Sequence, residues 1–363
     1  MIECTLAIQA IPAPTFEEGA RAQFLRSRFA EASVQDVAID DVGNLLGRTP
    51  GGALTPVVVA AHLDSVFPSG TDLRATRREA HLVGPGVGDN AVGLAGLVEL
   101  ALDFRERPPA GDVWLVATTG EEGLGNLRGI RAVVDRFGAE VSAYLIVEGM
   151  AFGHIYARGL PVRRFRIAVQ TAGGHAWVHA GRPSAIHQLV SIGADLARVP
   201  LPRNPRTSLN IGRMAGGTTI NSIAANAWME VDLRCELEAA LDMLAEHLRR
   251  LAGSYASPVV QVTVDEIGAR PGAALPAGHP LLRAAQEALL EAGVSPPEPE
   301  TASTDATYPL SRGLPAVCVG LTRGSGAHSL EEQIEIGPIP RGYDALVRLI
   351  DKAQHFAPPG HVS

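Results

Sequence analysis

Cysteine is scarce in this chain of 363 residues: Cys4, Cys235 and Cys318 are scattered, odd in number and without CxxC spacing. That pattern argues against a disulfide framework and for a reducing compartment. No apolar run reaches the roughly 18 residues of a membrane span. The N-terminus also lacks a charged segment followed by an apolar one, so a cytoplasmic protein with no membrane partner is expected. Basic runs and aromatic-basic interleaving are missing too. With 31 Lys and Arg against 39 Asp and Glu the net charge is −8, which speaks against nucleic acid as the main partner. No Gly-x-Ser-x-Gly elbow is present, removing the common serine-hydrolase reading. The glycine loop Gly84–Gly88 lacks the Gly-Lys-Ser/Thr of a phosphate cradle, and Asp89 behind it would repel a phosphate.

What the chain does have is 46% hydrophobic residues, ample for a core, and a length that implies two domains. Val113–Gly123 is the most informative stretch. Its first half is a β-branched, apolar run typical of a buried parallel strand, and it ends in Thr118-Thr119-Gly120 followed by the adjacent acids Glu121 and Glu122. Val57–Ala61 is another apolar run, leading into His62-Leu63-Asp64, and Ala143–Val147 a third, ending in Glu148. Helical spacing over Glu17–Ala32, Val92–Phe104 and Ile130–Phe137 alternates with these strands and predicts a three-layer α/β domain with a mostly parallel sheet. After Gly159 the pattern changes. Alternating strands at Val162–Thr171, Thr207–Met214, Ala227–Cys235 and Val259–Ile267 enclose helices at Ser184–Val199 and Leu237–Leu251. This is the βαββαβ order of a ferredoxin-like domain. The α/β pattern resumes with a helix at Pro280–Ala292, a strand at Ala316–Gly320 and a helix near Tyr343–Phe356. The expected division is therefore 1–159 with 272–363 as one domain, and 160–271 inserted into it.

Candidate chemistry sits where the strands of the α/β part end, the edge at which open α/β sheets place their ligands. In His62-Leu63-Asp64 the strand period puts both side chains on one face, and a carboxylate beside an imidazole fixes its tautomer. Asp89 follows the glycine loop at a helix start, where an ordinary N-cap would also be found. Glu121, Glu122 and Glu148 end strands, and His328 lies in the glycine-rich loop Gly324–Ser329. Singly, each reads better as a surface or capping residue than as a ligand. Together, two imidazoles, three carboxylates and one spare carboxylate are the ligand inventory of a two-metal N/O site, most commonly zinc. Without cations so many acids at one edge would carry shifted pKa values and destabilise the fold.

His62-Leu63-Asp64-Ser65-Val66, Gly88-Asp89-Asn90, Thr119-Gly120-Glu121-Glu122-Gly123, Glu148-Gly149 and Gly326-Ala327-His328-Ser329 resemble, in order, the signature blocks of the M20 metallopeptidases. That family includes glutamate carboxypeptidases, aminoacylases and bacterial di- and tripeptidases. The resemblance implies that Asp89 bridges two Zn²⁺ ions, with Co²⁺ or Mn²⁺ as possible substitutes. His62 and Glu148 would complete one site, Glu122 and His328 the other. Asp64 would orient His62, Glu121 would be the general base for attack of a metal-bridged hydroxide on an amide, and the Asp89-Asn90 peptide would be cis.

For the inserted segment the resemblance implies a lid that also dimerises. Gly173-Gly174-His175-Ala176 is similar to the family's glycine-histidine block, so His175, with His179 as the alternative, would hold the oxyanion across a homodimer. Asn221 and Arg234 match the lid motif, and Arg270 is similar to the lid-end arginine of the carboxypeptidase branch; an arginine can grip a carboxylate in a bidentate fork. For Arg234 a structural ion pair is the alternative. The substrate implied is a small peptide or N-acyl amino acid with a free carboxylate. An exopeptidase is the expectation, an N-acyl-amino-acid deacylase the alternative and a non-catalytic binding protein on the same fold a further one.

Overall fold

Consecutive buried residues along Leu54–His62, from Val57 to His62, mean that both faces of this strand are covered, as a central parallel strand requires. In the computed structural model, which describes residues 1–295 and 297–357, this strand lies at the heart of a mixed sheet. It pairs in parallel with Gly111–Thr118 on one side and Tyr144–Val147 on the other, and Ala316–Val319 extends the parallel set. Antiparallel strands close both margins: Leu45–Thr49 and Gln35–Ile39 at one, Tyr156–Gly159 and Ala273–Ala274 at the other. Helices including Gly19–Glu31, Val92–Glu106, Arg128–Phe137, Pro280–Glu291 and Ile339–Gln354 share one apolar core with these strands. None of the helices among the described residues is long and apolar enough to cross a membrane.

The chain divides into two compact units, Met1–Gly159 with Ala273–Ser363, and Leu160–Gly272. The last six residues of the expected 272–363 segment lie outside the described residues. The second unit is an antiparallel sheet in the order Thr207–Gly216, Asn226–Cys235, Val162–Thr171, Val260–Arg270, with helices Ala185–Leu196 and Glu238–Gly253. Phe165, Ile167, Val169, Met229, Val231 and Leu233 alternate along its central strands and pack with those helices. The opposite face carries Arg164, Arg166, Trp228, Glu230 and Asp232, so the period of two separates core from polar face.

Among the elements without a counterpart in the sequence pattern, two bear on the site. One is the N-terminal helix Ile2–Gln9, whose apolar residues are spread around the helix instead of forming a stripe. The other is a small antiparallel sheet of Thr76–Arg78, His81–Val83, Gln333–Glu335 and Gly324–Ser325. Strands of two or three residues are too short to show alternation, yet this sheet carries the loop that holds His328.

Candidate metal centre

Each chemically active loop of the first unit leaves a strand of the main sheet or the small sheet. His62 is the last residue of its strand and Glu148 follows the last residue of Tyr144–Val147. Asp89 sits in an irregular turn, Val87–Ala91, ahead of the Val92–Glu106 helix, and its peptide bond to Asn90 is cis. Asn90 then clasps the neighbouring strand end: its Nδ2 donates to the Val147 carbonyl at 2.7 Å and its Oδ1 accepts from Gly149 N at 3.0 Å. Gly149 must stay a glycine, because a Cβ there would lie 2.2 Å from the Gly88 carbonyl oxygen. That close approach brings Glu148 beside Asp89.

The result is a pair of triads sharing one residue. Asp89 Oδ1 is 2.9 Å from His62 Nε2, which is itself 3.6 Å from Glu148 Oε2. Asp89 Oδ2 is 3.1 Å from His328 Nε2, which is 3.2 Å from Glu122 Oε1. Donors on a tetrahedral cation at about 2.0 Å stand roughly 3.3 Å apart, so these spacings suit two cations bridged by the two oxygens of Asp89. In both groups one potential ligand atom per residue lies within 4.8 Å of the others. His62, Glu121 and Glu122 form a third group meeting the same criterion.

Charge in this cluster is strongly perturbed. Burial works against a charged His62, yet the Glu148 charge and hydrogen bonds to Asp64 and Asp89 hold its imidazole well above the usual range. His328 is raised to about 10 by its hydrogen bonds to Asp89 and Glu122. Glu122 and Glu148 are pushed up to about 7, first by burial and then by the neighbouring acids. Asp89 resists burial through its two histidine partners and stays well below the ordinary carboxylate range. Acids that hold on to protons beside imidazolium ions mark a place where positive charge is wanted, and N/O donors of this kind fit divalent cations.

Asp64 stays within ion-pair reach of His62, as the His-x-Asp spacing implies, and has further partners that the spacing does not. His62 Nδ1 lies 2.9 Å from the Asp64 main-chain carbonyl and 3.6 Å from its carboxylate. The carboxylate also accepts from Glu121 N at 3.0 Å, Glu122 N at 2.9 Å and Thr15 Oγ1 at 2.8 Å. Fully buried, it locks the backbone of the two acids to the His62 strand end. Asp64→Ala strands three donors and opens a buried charged network, so it should cost about 3–5 kcal/mol of stability, read from urea unfolding of the metal-stripped protein.

Three further residues of this unit escaped the sequence reading. Glu332 is buried and accepts from Gly86 N, Gly88 N and Asp89 N at 3.2, 2.7 and 2.9 Å, tying the His328 loop to the Asp89 loop. The repeated acid Glu331-Glu332 was its only signal. Asp305, wholly buried, accepts from Thr118 Oγ1 at 2.6 Å and is pushed up to about 8 by burial and by Glu121. Thr15 had no motif at all.

The remaining expected residues belong to the second unit. Gly174–His175 pairs with Ser222–Ile223, and Ala176 N donates to the Asn221 carbonyl at 3.0 Å, so His175 and Asn221 share one lip. His175 Nδ1 accepts from Trp177 N and Val178 N at 3.2 and 3.3 Å, which leaves the proton on Nε2 of an exposed ring. His179 is more enclosed, and its Nδ1 accepts from His175 N at 2.9 Å. Arg234 is paired with Asp232 at 2.7 Å, and Arg164 with the same carboxylate at 2.9 Å. Arg270 is buried, and its charge is felt by Arg164. Two guanidiniums thus share the Asp232 carboxylate, and Arg164 was not singled out because its strand simply alternates.

Among curated proteins, this chain is 26% identical over 232 residues to a probable carboxypeptidase of Arthroderma otae, a match covering 56% of this chain and 49% of that protein. The chain therefore spans about half the length of the curated relatives it matches. Among solved structures it resembles an aminopeptidase PepT from Bacillus cereus, with 21% identity, 97% of each chain covered and a TM-score of 0.72. A tripeptidase from Staphylococcus aureus gives 19% identity, 98% of each chain and a TM-score of 0.78. These likenesses establish the fold. The model of the peptidase family M20/M25/M40 matches residues 58–352, a span that takes in His62, Asp89, Glu122, Glu148 and His328. By that match over most of its length, the chain belongs to peptidase family M20/M25/M40.

Proposed function

We propose that the chain is a two-metal hydrolase of amide bonds, acting as an exopeptidase on small peptides with a free carboxylate. The observation that carries this reading is Asp89, whose two oxygens each face a separate imidazole–carboxylate pair. His62, Asp89 and Glu148 would hold one cation and Asp89, Glu122 and His328 the other. Zinc is the preferred ion for these N/O donors, with Co²⁺ or Mn²⁺ as substitutes. Bound there, the pair would supply Lewis-acid charge to the amide carbonyl and acidify water.

The protein's own part is proton traffic and positioning. Glu121 takes a proton from the attacking water and returns it to the leaving amine. Asp64 holds Glu121 by its main-chain N–H, so the base is set before substrate arrives. His175, with its proton on Nε2, is the donor assigned to the oxyanion, favoured over His179 because its ring is the more exposed of the two. Arg270, Arg234 and Asn221 would take the substrate carboxylate, a role that the fork geometry of a guanidinium suits. Leu160–Gly272 would serve as lid and dimerisation domain, the second role supported by its open edge strand Thr207–Gly216. Three free cysteines support a cytoplasmic setting.

The test is metal quantification on the purified protein together with a hydrolysis panel of dipeptides, tripeptides and N-acetyl amino acids. About two bound ions per chain and turnover of the peptides are expected. Hydrolysis confined to N-acetyl amino acids would make it a deacylase, and metal-independent behaviour with no turnover a binding protein.

A further inference from the structure

Phe16 is a bulky residue at φ +81° with 56% of its surface exposed. A left-handed conformation is strained at such a residue, and glycine would relieve it. Core packing does not account for an aromatic there. Both of its flanks are fastened to the metal centre. On one side Ser65 N donates to the Ala13 carbonyl at 2.9 Å and Thr15 Oγ1 donates to Asp64. On the other, Glu18 accepts from Gly120 N at 3.0 Å, immediately before Glu121, and pairs with Arg128 at 3.0 Å. The Arg128 guanidinium lies 4.9 Å from the Phe16 ring centre, and its stem packs on Gly120. Since Glu18 neutralises Arg128, the loop presents an aromatic face without net charge.

Phe16 has company. Among the described residues of this unit, the exposed large apolar side chains are Phe16, Val66, Leu102, Leu124, Leu290 and Leu330. Leu102 and Leu290 are on helices. Val66, Leu124 and Leu330 each stand two residues beyond Asp64, Glu122 and His328. Exposed apolar groups scattered by chance would not follow the acids and imidazole around the site. Polar groups ringed by apolar ones are instead the make-up of a ligand pocket.

We propose that Phe16, Val66, Leu124 and Leu330 form an apolar collar around the metal centre that selects substrates with an apolar side chain beside the scissile amide, Phe16 being the main contact. This inference rests on the hydrolase reading above. It is tested with dipeptides in which either residue is Gly, Leu, Phe, Asp or Lys. Wild-type protein should favour Leu or Phe over Gly at one of the two positions by about tenfold in kcat/KM, with Asp and Lys below Gly. Phe16→Gly, which removes the ring and relieves the backbone, should lower the Leu-to-Gly ratio by roughly tenfold, mainly through KM, with bound metal unchanged. Leu330→Ser, on an exposed loop, should move the ratio in the same direction by less. A ratio unmoved in both variants, or a wild-type preference for charged side chains, overturns the collar while leaving the hydrolase reading intact. A metal-loaded wild type that cleaves none of the dipeptides overturns both.

Discussion

Glu121→Gln should lower kcat by about 10²–10⁴-fold while the protein still binds two metal ions per chain. Glutamine keeps the shape and the main-chain hydrogen bond to Asp64 but cannot take a proton. The two triads built on Asp89 do not include Glu121, so their ligand count is unchanged. Steady-state kinetics on the best substrate of the panel, with elemental analysis of the same sample, decides the matter. Loss of a metal ion along with turnover would instead place Glu121 among the ligands, in the group it forms with His62 and Glu122.

Stripping the metals should give the second large effect, and its sign depends on pH. A carboxyl raised on folding keeps its proton where the unfolded chain has released it, so its contribution is present below the unfolded pKa and fades as pH rises through the folded one. For Glu122 and Glu148 that window runs from 4.5 to about 7, and for Asp305 from 3.8 to about 8. His328, raised from 6.5 to about 10, acts in the same direction over its own window. The stripped protein should therefore melt at progressively lower temperature from pH 5 to pH 8. Bound metal reverses the trend, because ligands must be deprotonated to bind and metal affinity grows as pH rises. At a thousandfold excess over Kd the metals add about 4 kcal/mol. Melting curves with and without chelator should show a gap that widens from pH 5 to pH 8. A gap that narrows would mean that these acids do not receive the cations.

Much of the architecture was legible in one dimension. Apolar runs such as Val57–Ala61 and Ala143–Val147 declare buried parallel strands because both their faces are covered, and the alternation of Val162–Thr171 declares a half-covered one. His62, Asp89, Glu122, Glu148 and His328 could be named because each stands at a strand end or in a glycine loop, and their order along the chain resembles one family. Local pattern suffices where a residue's environment is set by its own strand or turn.

Tertiary structure alone decided the rest. The Asp64 carboxylate turns to the main chain of Glu121 and Glu122 because those N–H groups are brought to it from another strand, a pairing that no spacing encodes. Glu332 reaches Asp89 across more than 240 positions of sequence, on a sheet whose strands are too short to show a period. Phe16 acquires meaning only when Thr15 and Glu18 are seen bonded to loops far along the chain. Periodicity reports which side of an element is covered; it carries no information about which distant backbone groups will need a partner there, and in this protein those needs hold the candidate metal centre together.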